Sequence, residues 1–114
     1  MGYKEIYAAS LSDPEAFWTE AAKAVDWVNP PSRALFDRGG GLYEWYADGM
    51  LNGCYNAVDR HVEAGRGDQL AIIHDSPITG TKARITYSEL QDRVARLAGV
   101  LVSKGVTKGD RVIV

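Results

Sequence analysis

Glycine-rich turns, two histidines and one cysteine are the residues of this chain whose types could do chemistry. Gly39-Gly40-Gly41 has the flexibility to wrap a phosphate, but it follows no predicted strand and opens no predicted helix, so the amide donors of a helix start are missing. Gly80-Thr81-Lys82 spells the end of a Walker loop, yet the glycine required five residues earlier is Asp75. Arg66-Gly67-Asp68 spells an adhesion tripeptide; between a helix stop and a strand it reads as a polar turn. Asp59-Arg60-His61 places an imidazole between charged neighbours, where it could move a proton. No ligand spacing or paired nucleophile accompanies it, so Arg60 and His61 read as structural hydrogen-bonding groups. His74 closes a strand, and Cys54 has no adjacent Lys or Arg to activate a thiolate. Tyr43, Trp45, Tyr46 and Tyr55 could stack on bases, but without interleaved cations they read as packing groups. These residues make no complete catalytic, cofactor-binding or metal site.

The elements that must hold these residues follow from periodicity. Tyr3, Ile6 and Tyr7, ahead of Leu11, recur at helical spacing. Ser12-Asp13-Pro14-Glu15 supplies a cap, a proline inside the start and first-turn acid for a second helix. Its face is Phe17, Trp18, Ala21, Ala22 and Val25, and Pro30-Pro31 forbids its continuation. Residues 32–50 read as irregular coil. Asn52 can cap a third helix, along which Leu51, Tyr55, Val58 and Val62 align, with Gly65 as its stop. Leu70-Ala71-Ile72-Ile73 reads as a well-buried strand, paired through the Asp75–Gly80 turn with Arg84-Ile85-Thr86 in an antiparallel hairpin. Thr86 and Glu89 form a capping box for a helix whose stripe is Leu90, Val94, Leu97, Ala98 and Leu101, ended by Gly105. After the turn Thr107-Lys108-Gly109-Asp110, the apolar run from Arg111 to Val114 reads as the start of a further strand.

The composition bounds the class. The 114 residues carry 13 Lys+Arg against 15 Asp+Glu, a net charge of −2, with 46% hydrophobic residues. That is ordinary globular composition and supports no disorder. Residues 1–57 hold 4 basic and 8 acidic groups and residues 58–114 hold 9 and 7, so neither half offers the basic stripe that nucleic acid needs. A single cysteine suits a reducing compartment: the cytoplasm or, in a eukaryote, the mitochondrial matrix. No apolar run is long enough for a membrane helix, so no membrane partner is expected.

The run from Trp45 to His61 resembles a signature of the short-chain acyl-CoA synthetases, adenylate-forming enzymes. There an aromatic pair and a glycine precede Leu-Asn, a Tyr-Asn pair and Asp-Arg-His. The order continues in Gly67-Asp68-Gln69, in Ile85-Thr86-Tyr87-Ser88-Glu89-Leu90 and in Gly105-Val106-Thr107-Lys108-Gly109-Asp110-Arg111-Val112. Asn52-Gly53-Cys54-Tyr55-Asn56, the run from His61 to Asp68 and the loop Asp75–Lys82 lean toward the propionate-activating members. Tyr46 departs from the pattern, where Phe is commoner. The resemblance implies an ATP-dependent ligase that uses Mg2+ and CoA, with a short-chain carboxylate as acceptor and an acyl-adenylate as intermediate. It also implies that the phosphate loop, acyl pocket and catalytic Lys lie after Val114, so no family site residue falls in this chain.

The expected fold is therefore α/β. A helical and irregular segment covers residues 1–66, and residues 67–114 form a β-hairpin–helix–strand that begins an adenylation domain. The chain reads as a fragment that binds neither ATP nor CoA alone and that self-associates through its uncovered strand. Acetate- or butyrate-activating relatives, a non-catalytic interaction module and an adhesion ligand are the alternative readings.

Overall fold

The computed structural model describes residues 2–113. Two compact units divide the chain between Gly53 and Cys54.

In the first unit the expected opening helix forms as α1, Tyr3–Ser12. The Asp13 carboxylate accepts from the Ala16 amide at 3.0 Å and starts α2, Pro14–Ala21, with Pro14 in its first turn. That start sets the direction of Glu15. Its two carboxylate oxygens accept from the Ala34 amide at 2.6 Å and the Leu35 amide at 3.2 Å, which ties α2 to a segment about twenty residues away. Ala34 is only 1% exposed.

The second helix is shorter than its apolar face suggests. It tightens into a 3-10 turn at Ala22–Ala24, and Val25 is extended. The cause is local: the Trp27 indole N–H donates to the Ala22 carbonyl at 2.8 Å, satisfying the helix end and turning the chain out of it. The expectation of irregular coil over residues 32–50 is corrected in part: 35–37, 43–45 and Met50 belong to two antiparallel pairs, while the rest of the segment is turn and coil. Strand β1 (Trp27–Asn29) pairs with β4 (Met50–Leu51), and β2 (Leu35–Asp37) pairs with β3 (Tyr43–Trp45), register Leu35 to Trp45. Strands of two or three residues are too short to show an alternation. Gly39, Gly40 and Gly41 all have positive φ, which is what lets the β2–β3 connection close. Leu51, expected on the face of the third helix, is spent in β4.

In the second unit the helical backbone begins at residue 53, just after Asn52. It is not a plain α-helix: Tyr55–Asp59 and Val62–Arg66 are π-type turns. The 4-3-4 apolar spacing marks a helical face without distinguishing the wider turn from the α turn. Gly65, at φ +77°, breaks the helix where a glycine stop was expected. Strands β5 (Leu70–Asp75) and β6 (Lys82–Thr86) form the expected antiparallel hairpin, closed by a Lys82–Asp75 ion pair at 2.8 Å.

The β5 strand is less buried than its apolar run predicts. Leu70 and Ala71 are half-buried, but Ile72 is 41% and Ile73 68% exposed, because a two-stranded ribbon has few neighbours to cover it. Helix α3, Tyr87–Ser103, opens on the predicted capping box: the Thr86 amide donates to Glu89 Oε2 at 2.8 Å and the Glu89 amide to Thr86 Oγ1 at 3.3 Å. Leu90, Val94 and Leu101 of its stripe are half-buried, while Leu97 is exposed. After Gly105, the Val106 amide donates back to the Leu101 carbonyl at 3.1 Å, a Schellman closure. The turn Thr107–Asp110 forms, with Asp110 accepting from the Thr107 amide at 2.7 Å. The strand expected to follow is absent at Arg111, Val112 and Ile113, since no described strand lies beside them to accept their hydrogen bonds, and Val114 lies outside the described residues.

Glu15→Ala should leave two amides of the first unit without their acceptor and lower stability by about 1–3 kcal/mol. Hydrogen exchange should show Ala34 and Leu35 losing protection while the amides of α3 keep theirs. Uniform loss of protection, or none, would show that Glu15 does not hold this unit.

Candidate functional site

The capping turn of α3 gathers the charged triplet of the second unit. Asp59 Oδ1 accepts from Gln91 Nε2 of α3 at 2.8 Å. Arg60 turns back along its own helix and donates to Asn56 Oδ1 at 3.2 Å. The His61 ring lies 4.9 Å from the Tyr87 ring, and its Nδ1 accepts from the Arg66 guanidinium. A guanidinium can only donate, so Nδ1 is the acceptor in this contact. Desolvation, then the charges of Arg66 and Arg60, hold its pKa below the usual imidazole value. Each member of the triplet thus has a hydrogen-bond partner within the second unit.

The Arg66-Gly67-Asp68 tripeptide is part of the same construction. Gly67 accepts from the Ser88 amide at 3.0 Å, and a Cβ at Gly67 would collide with the Ser88 hydroxyl. With Arg66 engaged by His61, the tripeptide is docked on the start of α3, unlike an adhesion loop. Gly39-Gly40-Gly41 lies in the β2–β3 hairpin and Gly80-Thr81-Lys82 at the end of the β5–β6 loop; neither opens a helix. His74 Nε2 pairs with Thr81 Oγ1 at 3.3 Å in that hairpin. Cys54 is exposed, and desolvation followed by the nearby Asp59 carboxylate raises its thiol pKa, the opposite of activation. Among the described residues no cluster of His, Cys, Asp or Glu could hold a metal ion.

The aromatic residues divide. In the first unit Trp45 packs edge-on against Trp18 at 5.6 Å and beside Tyr46 at 5.9 Å, and Tyr46 lies 5.5 Å from Trp27. The Tyr46 hydroxyl donates to the Trp18 carbonyl at 2.9 Å, from a backbone at φ +50° that non-glycine residues seldom adopt. Burial, then the Glu15 charge, raises its phenol pKa. Tyr55, in the second unit, donates to Glu63 Oε2 at 2.7 Å.

A feature that the sequence reading missed is a cleft of about 440 Å³ in the first unit, with Val25, Trp27, Pro30, Pro31, Arg33 and Tyr46 among its walls. The signal was Trp27 beside Pro30-Pro31: a large ring next to a stretch that cannot fold back over it.

Comparison with known proteins places this geometry. Residues 3–57 match the acetyl-coenzyme A synthetase N-terminus family, and residues 58–114 match the AMP-binding enzyme family. The chain belongs to the AMP-binding enzymes. Within them it belongs with the N-terminal region of the short-chain acyl-CoA synthetases, as the Trp45–His61 signature implied. The mitochondrial acyl-CoA synthetase short-chain family member 3 of Bos taurus is 53% identical over 112 residues, covering 98% of this chain and 16% of the relative. An uncharacterised protein of Pseudomonas aeruginosa is 49% identical over 114 residues, covering 100% of this chain and 18% of that protein. The acetyl-coenzyme A synthetase of Xanthobacter autotrophicus is 46% identical over 115 residues, covering 98% and 18%. The chain thus spans about a sixth of the length of these relatives.

Two outcomes follow for the triplet. An NMR titration should place the His61 midpoint below the ~6.5 of a free imidazole. Unfolded chains then bind more protons than folded ones just below that pH, so the His61 contribution makes stability rise with pH through this window and level off above about 6.5. A midpoint above 6.5 would remove the Arg66 contact. Arg60→Ala in the intact protein should lower the melting temperature more than the turnover per folded molecule. An unchanged melting temperature with a hundredfold loss of turnover would instead make the triplet catalytic.

Proposed function

We propose that the intact protein is an AMP-forming ligase that joins a short-chain carboxylate, propionate in preference to acetate, to coenzyme A. The carboxylate attacks the α-phosphorus of ATP, releasing diphosphate and forming an acyl-adenylate. The CoA thiolate then attacks the acyl carbon and AMP leaves. The observation that carries this reading is the pair of family matches, contiguous and in order over residues 3–57 and 58–114. Homology to proteins named acyl-CoA and acetyl-coenzyme A synthetases supports the reaction class. The Asn52–Asn56 segment and the Asp75–Lys82 loop support propionate.

In this reading residues 1–66 and 67–114 keep the domain roles expected of them, N-terminal segment and start of the adenylation domain. Neither supplies a group that touches ATP, Mg2+, acid or CoA. Their work is to hold apolar and capping surfaces in place for the adenylating body. The 114-residue chain by itself is inactive, and its exposed Val112 and Ile113 favour self-association. The cytoplasm, or the matrix as in the relative named mitochondrial, is the compartment of the intact protein. No helix among the described residues is long and apolar enough to cross a membrane.

Purified intact protein should release diphosphate and AMP from ATP only when both acid and CoA are supplied for turnover, and faster with propionate than with acetate. Absence of acid-dependent diphosphate release would end the ligase reading. Faster turnover with acetate would end only the propionate assignment.

A further inference from the structure

We propose that the cleft of the first unit is a binding site for an amphipathic monocarboxylate, an apolar chain of about eight carbons with its anionic head on Arg33. The site does not depend on the ligase reading, and none of its residues was given contact with ATP, Mg2+, acid or CoA there. Its volume, about 440 Å³, falls in the range of small-molecule sites.

The walls select an apolar body. Trp27 and Tyr46 each carry one polar handle, and both are already used inside the unit. The indole N–H donates to the Ala22 carbonyl at 2.8 Å, and the phenol donates to the Trp18 carbonyl at 2.9 Å. What remains available is ring surface. Pro30 and Pro31 have no amide N–H at all. A ligand lying here meets carbon and few donors.

The head group follows from the charges. Lys23 is paired with Glu20. Arg33 lies against the Phe36 ring at 5.6 Å, and its nearest carboxylate oxygen, on Glu15, is 4.0 Å away, beyond hydrogen-bond reach. The Glu15 oxygens are meanwhile taken by the Ala34 and Leu35 amides. The Arg33 guanidinium thus keeps its donor fork for an external acceptor, held in orientation by Phe36, at the wall of an apolar cleft. A carboxylate fits that fork with two parallel hydrogen bonds. A phosphate dianion is disfavoured, because Asp26 also lines the cleft and Glu15 stands behind Arg33.

The test is photolabelling of the intact protein with an octanoate analogue carrying a diazirine on its chain, followed by trypsin and mass spectrometry. Label is expected on the peptide 24–33, competed by unlabelled octanoate and not by octanol at equal concentration. Arg33→Gln, whose tryptic peptide runs on to Arg38 and is read as 24–38, should reduce the label about tenfold, the loss of one charge-assisted hydrogen-bonded pair, and Arg33→Lys should restore most of it on peptide 24–33. Labels elsewhere, including any acyl pocket, are read on other peptides and do not enter. Absence of label on residues 24–33 would overturn the proposal, as would competition by octanol equal to octanoate. Should Arg33→Gln fail to fold, the octanoate–octanol comparison in the unaltered protein decides. A folded Arg33→Gln protein with undiminished label would place the anion somewhere other than Arg33.

Discussion

The Glu15 carboxylate is the contact on which the first unit depends. Apart from helices α1 and α2, this unit has only strands of two and three residues, and its fully buried apolar residues are alanines, so hydrophobic burial alone is thin. Two backbone amides of a segment with no long ladder must find acceptors, and Glu15 provides both. That carboxylate is aimed by the cap two residues before it: Asp13 stops α1, starts α2, and fixes the helical phase at which Glu15 emerges. The aromatic packing of Trp18, Trp45, Tyr46 and Trp27 and the cleft beside it rest on that alignment.

The second unit reaches the same end by another route. Its organising feature is the start of α3. The Thr86–Glu89 box closes the helix end, the Gly67 carbonyl and Gln69 carbonyl accept from Ser88 and Tyr87, and Gln91 reaches Asp59. Helix, hairpin and π-type turns meet within these few residues. The charged triplet lies beside this joint, with Arg66 on the Nδ1 of His61 and the Tyr87 ring against its imidazole.

The sequence was most legible where a local rule has one strong solution. The Thr86 capping box, the glycine stops at Gly65 and Gly105, and the Asp75–Lys82 hairpin all depend on contacts within a few residues, and all formed as read. Less legible were features decided at a distance. The short strands β1 to β4 are made by partners as far apart as Trp27 and Leu51, and their two or three residues carry no period. The end of α2 was decided by Trp27 capturing the Ala22 carbonyl. The apolar run Arg111–Val114 has strand composition, but a strand is a relation between two segments, and at Arg111 to Ile113 the second is missing from the described residues. The cleft left only an indirect trace, Trp27 beside Pro30-Pro31, because it is a space between side chains and periodicity along a chain does not encode it. The family was legible because a run of unremarkable residues, Trp45 to His61, keeps the order of the signature with one departure at Tyr46.

The β5–β6 loop has a consequence for how such chains can be handled. Its tip is held by its own hydroxyls, Thr79 to Thr81 at 2.6 Å and Ser76 to Thr81 through the backbone at 2.9 Å, while Ile78 is 95% exposed and contributes little to any core. The strands are registered by their own ladder below it. A linker, a fluorophore or an extra few residues placed between Ile78 and Thr79 would be carried as a passenger, leaving both strands undisturbed.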